Sequence, residues 1–171
     1  LLEVMGPNDF DRFVGDNGEG LMRTAYLMVG DLHEAEDLVQ ETLCKVASRR
    51  PRVSRMDNPA AYARRILVNL ALHGSSKRSR HRAELKATPP VETAAQAAHL
   101  DIDDRLFDAL AALPPRQRAA LVLRYFLDLS EAEAAAALSC SLGTVKSSTS
   151  RGLKRLEETL RPTDHYRSIA S

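Results

Sequence analysis

Tryptophan is absent from this chain, aromatic residues make up 5% of it, and nowhere do β-branched residues form an alternating run. Sheets draw on those residue types, so the hydrophobic content, rich in alanine and leucine, points to an all-α fold. Also missing are any apolar run near the roughly 20 residues that span a bilayer and any basic N-terminal segment leading into an apolar core. Those absences predict a cytoplasmic protein with no membrane insertion. The two cysteines, Cys44 and Cys140, lie far apart, and neither has a second Cys or a His at metal-ligand spacing. That argues against a zinc site and against a disulfide scaffold, and no metal or cofactor is expected. Catalytic constellations are missing too. The arginine-rich stretch holds only Asp57 and Glu84 as acids, too few for a magnesium cluster, and no Ser/His/Asp or Cys/His arrangement stands out.

What is present is charge, and it is segregated. The net value of +1 conceals 3 Lys/Arg against 10 Asp/Glu in residues 1–48, then 11 against 2 in 49–86. Residues 87–112 carry 1 against 5, and 141–161 carry 5 against 2. Two basic segments, each beside an acidic one, suit a protein that touches a polyanion twice and offers another partner an acidic surface. Two solvated helix faces would give the same counts.

Punctuation along the chain predicts the elements. Phe10 to Val29 reads as an amphipathic helix softened around Gly15, Gly18 and Gly20 and stopped at Gly30. Asp31 and Glu34 form a capping-box-like pair opening a helix through Leu32, Ala35, Leu38, Val39, Leu43 and Val46. An arginine-rich loop, 49–57, follows. Asn58 as N-cap with Pro59 at the first helical position starts a helix that fades near Ser75. Residues 83–100, with two adjacent prolines, read as a flexible linker. Two small helical domains result, residues 1–82 and 101–161, with a tail at 162–171.

The second domain carries the clearest motif. Ser130 and Glu133 form another capping pair, followed by the small-residue helix Glu131 to Leu138, a turn at Ser139-Cys140-Ser141 and a helix from Leu142 to Leu160. That is helix-turn-helix spacing, with Ala135, Ser139 and Val145 at the crossing, the turn and the core-facing position. Leu142, Val145, Leu153 and Leu156 are expected inward. Thr144, Lys146, Ser147, Ser148, Ser150, Arg151, Lys154 and Arg155 form an outward set of donors and cations suited to base edges and phosphates. Taken alone, this half fits a dimeric repressor equally well.

Residues Leu129 to Leu138, with Gly143-Thr-Val-Lys-Ser147 and Arg151-Gly-Leu-Lys-Arg-Leu156, resemble domain 4 of bacterial sigma factors, which reads the minus-thirty-five promoter element. Leu113-Pro-Pro-Arg-Gln-Arg118 is similar to the entry into that domain. Independently, Ala35-Glu-Asp-Leu-Val-Gln-Glu-Thr-Leu43 resembles the part of sigma domain 2 that docks on core RNA polymerase. No room is left for a domain 3, so the chain is similar to the extracytoplasmic-function group, and to its compact actinobacterial members.

The resemblance implies a transcription initiation factor whose partners are core RNA polymerase, through the β′ clamp helices and the β flap, and promoter DNA, both duplex and melted. It places Asp37, Gln40 and Glu41 against the clamp. It places Arg50, Arg52, Arg55, Tyr62, Arg64, Arg65, Asn69, Lys77, Arg78 and Arg80 at the minus-ten element, where a specificity loop and the following helix enclose a flipped base. A factor without ATP opens a duplex only by binding the exposed strand better, through cations on phosphates and a pocket for an unstacked base. Many members also have an anti-sigma partner that covers their polymerase- and DNA-facing surfaces. Three positions depart from the family: Ser139 stands where Gly is frequent, which is tolerable if its backbone stays in an ordinary region, Ser148 replaces a common Arg, and His73 a polar Asn or Asp.

Overall fold

The computed structural model describes residues 7–85 and 103–161, with side chains described from 8 to 74 and from 103 to 161. The linker and tail expected at 83–100 and 162–171 fall almost wholly outside them. Every regular element among the described residues is helical.

Helix α1, Pro7–Val29, runs without a break through Gly15, Gly18 and Gly20. The softening expected there does not occur. Phe13, Leu21, Leu27 and Met28 are buried along one face, and that burial outweighs the roughly 1 kcal/mol by which each glycine disfavours a helix. Gly30 does end it: at φ 77° it takes the left-handed conformation, and its N–H donates to the Tyr26 carbonyl at 2.8 Å. Helix α2, Leu32–Ala47, opens on Asp31, whose carboxylate accepts from the Glu34 N–H at 2.9 Å.

The segment from Arg49 to Asp57 is not all loop, because Arg50–Val53 forms a single helical turn, α3, with Pro51 early in it and Val53 fully buried as its anchor. Asn58 caps the next helix through the Ala61 N–H at 2.9 Å. This helix, α4, covers Pro59–Leu85, ten residues past the expected fade at Ser75 and three past the boundary at 82.

The C-terminal half begins with α5, Asp104–Ala111, capped by Asp103, and α6, Pro115–Leu121, which widens into a π-helical turn over Val122–Phe126. Helices α7, Glu131–Leu138, and α8, Leu142–Leu160, form the helix-turn-helix. Gly152 of α8 meets α6 so closely that a Cβ there would lie 3.1 Å from Leu121.

The two halves touch. Helix α1 packs on α2 and α4, α8 on α6 and α7, and α4 also lies against α7 and α6. Buried residues from both halves form one continuous cluster.

Candidate nucleic-acid and polymerase interfaces

On α2, Leu32, Ala35, Leu38, Thr42 and Val46 face the core, a spacing that turns the remaining positions outward. Asp37, Gln40 and Glu41 are all exposed. Glu41 pairs with Lys45 one turn on, at 3.3 Å. The result is a polar face on a helix held rigid from behind.

The basic segment divides by role. Arg52 and Arg55 of the α3 region and Arg65 of α4 are exposed, and Arg64 is half-buried. Arg50 is half-buried as well, its guanidinium lying 4.5 Å over the Phe10 ring. Its neighbour Arg49, which sequence reasoning left out, donates to the Tyr62 hydroxyl at 2.8 Å. Adjacent arginines thus tie α3 to α1 on one side and to α4 on the other. Tyr62 is half-buried with its hydroxyl engaged. Asn69 lines a cavity of about 540 Å³ shared with Leu72, His73, Pro114, Leu138 and Ser139. His73 itself is exposed and bonds to the Asn69 carbonyl at 2.6 Å. Lys77, Arg78 and Arg80 belong to the far part of α4, where the helix is described and the side chains are not.

In the helix-turn-helix, the capping box at Ser130 is complete. The Ser130 Oγ accepts from the Glu133 N–H at 3.2 Å, and the Glu133 carboxylate accepts from the Ser130 N–H at 2.8 Å. The Ser130 hydroxyl also donates to the Glu133 carboxylate, at 2.7 Å, and that bond, then the one from the Ser130 N–H, holds the Glu133 carboxyl below its usual range, with a smaller contribution from the charge of Arg64. Ser139 does not keep an ordinary backbone; it sits at φ 51°, ψ 46°. A left-handed residue at a helix C-terminus lets the chain leave the helix in a tight turn, and Ser139 takes that role without being glycine.

Val145 is fully buried and Leu156 half-buried, but Leu142 and Leu153 are 49% and 38% exposed. The expectation that all four face inward fails because, at 100° per residue, Leu142 and Leu153 lie about 60° and 80° round the helix from Val145. Thr144, Lys146, Ser150, Arg151, Lys154 and Arg155 are exposed, while Ser147 and Ser148 are half-buried. Lys146 pairs with Glu131 of α7 at 3.4 Å. Ser141 caps α8 through the Thr144 N–H at 3.2 Å. The exposed cations form one polar side on a rigidly seated helix, the arrangement that enters a major groove.

Arg118 was also missed. It is 7% exposed and donates to the carbonyl oxygens of Met28, Ala111 and Leu113. A cation three and four residues before the buried Leu121 and Val122, where helical spacing calls for an apolar side chain, was the available signal.

Residues 13–81 match the family described as Sigma-70 region 2, and residues 103–156 match Sigma-70, region 4. The chain is 34% identical over 154 residues to the RNA polymerase sigma-E factor of Streptomyces coelicolor, an alignment covering 89% of this chain and 86% of that protein. The chain belongs to the extracytoplasmic-function sigma factors. The group is named in another relative, the ECF RNA polymerase sigma factor SigC of Mycobacterium tuberculosis, 32% identical over 82% of this chain and 76% of that one. The solved sigma factor RpoE of Bartonella quintana, in complex with the anti-sigma factor NepR, superposes with a TM-score of 0.70 at 30% identity, over 91% of this chain and 99% of that chain. As a sigma factor the protein binds core RNA polymerase and directs promoter-specific initiation, and the family is regulatory rather than catalytic. Among the described residues, no helix of this sigma factor is long and apolar enough to cross a membrane, and no group of three or more His, Cys, Asp or Glu could hold a metal ion.

Proposed function

We propose a residue-level division of labour for this sigma factor. Residues 1–82 act as domain 2, residues 101–161 as domain 4, and 83–100 as the connection between them. Asp37, Gln40 and Glu41 dock on the β′ clamp helices. The observation that carries this is their common exposure on α2 while Leu38, Thr42 and Val46 anchor the opposite face; such a surface meets a basic partner without rearrangement.

Arg52, Arg55, Arg64 and Arg65, with Lys77, Arg78 and Arg80, hold the phosphates of the melted minus-ten strand. Asn69 and Tyr62 serve the unstacked base, and Arg50 contributes by holding α3 on Phe10. On α8, Arg151, Lys154, Arg155 and Lys146 engage phosphates, while Thr144, Ser147, Ser148 and Ser150 face the minus-thirty-five duplex. The same half meets the β flap. The protein works in the cytoplasm as a non-catalytic subunit, held in check by an anti-sigma partner of the kind seen with the Bartonella relative.

Purified core polymerase, genomic fragments and this chain should together yield transcripts whose mapped start sites share two upstream elements. DNA binding without core, and no such transcripts, would favour a free-standing repressor.

A further inference from the structure

One ion pair spans the two helices of the helix-turn-helix. Glu131 is the first residue of α7, and its carboxylate stands 3.4 Å from the Lys146 ammonium on α8. Both helices are fixed behind the pair. Ser130 caps α7 through the Glu133 N–H and Ser141 caps α8 through the Thr144 N–H, while Ala134 and Val145 are fully buried. A carboxylate in a first helical turn is favoured by the helix dipole, so the place of Glu131 in α7 does not depend on Lys146.

Lys146 is set apart from the other cations of its helix. At 100° per residue it lies about 140° round α8 from Arg151, about 180° from Arg155 and about 80° from Lys154. It therefore points to the flank where α7 begins, and in such motifs the first helix crosses the DNA backbone. A carboxylate at that place repels phosphate, and it also occupies a cation that any duplex would otherwise attract. The Lys146 and Glu131 side chains are 65% and 42% exposed, so water screens the pair and leaves it weak enough to exchange partners.

We infer that Glu131 is a positioning residue that sets specificity in the minus-thirty-five contact: it holds Lys146 back from phosphate until α8 is fully seated on its own element. The inference rests on the reading of α8 proposed above, in which Lys146 engages a phosphate. On random duplex, where α8 lies loosely over the groove, the ammonium stays with Glu131. In the seated complex a phosphate fixed beside the flank of α8 takes the ammonium over. The carboxylate thus subtracts more from sequence-independent affinity than from specific affinity. The ratio of those two affinities is what selects a promoter among competing sites.

The test titrates holoenzyme, assembled with purified core polymerase, against duplex fragments from the mapped start sites. The minus-thirty-five element is intact or scrambled, and the salt concentration is varied. Each phosphate contact on duplex DNA contributes about 0.9 to the slope of log affinity against log salt. Glu131→Gln should steepen the slope on scrambled fragments by about 0.9 and tighten binding there severalfold. On intact fragments the slope should stay as it is, so discrimination falls severalfold. Lys146→Met should flatten the slope on intact fragments by about 0.9, and Glu131→Gln added to it should change neither slope. An equal gain from Glu131→Gln with and without Lys146→Met would mean simple repulsion of phosphate, and would overturn the inference with the sigma assignment intact. So would a slope on scrambled fragments that does not move. Promoter binding indifferent to Lys146→Met, Arg151→Ala and Lys154→Ala together would bring down the reading of α8, and the inference with it.

Discussion

The guanidinium carbon of Arg50 stands 4.5 Å from the centroid of the Phe10 ring, so an arginine of the basic segment is bound to the opening turn of the first helix. On the assignment proposed above, Arg50 positions α3, while the exposed Arg52 and Arg55 meet phosphate. Counterion release separates the two roles, since each single-strand phosphate contact contributes about 0.7 to the slope of log affinity against log salt. Arg52→Ala and Arg55→Ala should each lower that slope for promoter-strand binding by the holoenzyme. Arg50→Ala and Phe10→Leu should weaken binding with the slope unchanged. A lowered slope for Arg50→Ala would make it a phosphate ligand after all.

Glycine to alanine should have one sign at Gly15 and Gly20 and the opposite sign at Gly152. Nothing lies within 4 Å of a Cβ built on Gly15 or Gly20, and both sit inside α1, so Gly15→Ala and Gly20→Ala should each stabilise by about 0.5–1 kcal/mol. At Gly152 a Cβ would press on the Leu121 side chain, which is 2% exposed and cannot give way. Gly152→Ala should cost about 1–3 kcal/mol. Ser139→Gly, relieving a left-handed serine, should gain about 1 kcal/mol. Denaturant midpoints at constant m-value measure all four.

Charge reversal at the α2 face should affect binding and leave folding alone. Asp37→Lys and Glu41→Lys replace exposed side chains, so stability should stay within about 0.5 kcal/mol. Affinity for core polymerase should fall about tenfold or more, a loss of ~1.4 kcal/mol. Unchanged capture of core by both variants would remove α2 from the interface.

The capping box gives a pH dependence of known sign. Because bonds from Ser130, then the charge of Arg64, hold the folded Glu133 carboxyl below its ordinary range, its contribution is complete above the unfolded pKa. It is lost as pH falls through the depressed folded value. Thermal midpoints on the acid side should decline less steeply for Glu133→Gln than for the parent chain. Parallel declines would show that the ionised carboxylate adds nothing.

Features carried by short-range chemistry were legible in the residues. Asp31, Asn58 and Ser130 announce helix starts because a cap needs only a side chain and an N–H three positions on, and each of those bonds is present. The helix-turn-helix and the polar face of α2 were readable for the same reason, since helical periodicity assigns faces before anything packs on them. Propensity misled at Gly15, Gly18 and Gly20, because a per-residue preference cannot count the apolar surface that α1 buries against α2 and α4. Leu142 and Leu153 were misplaced for a different reason: they lie about 60° and 80° round α8 from Val145, at the margin of the buried face, and are exposed there.

The amino-acid order by itself determined that the described residues are helical, where most of the helices begin, and which polar side chains of α2 point outward, since each of these is settled within a turn or two of chain. Only the tertiary structure decided that Ser139 turns left-handed, that Arg50 is engaged by Phe10 and that Arg118 reaches Met28. The bond from Arg118 to Met28 joins residues 90 apart in the chain, and a pairing over that separation has no local pattern to betray it. It exists because two helix C-termini converge and their carbonyls need a donor.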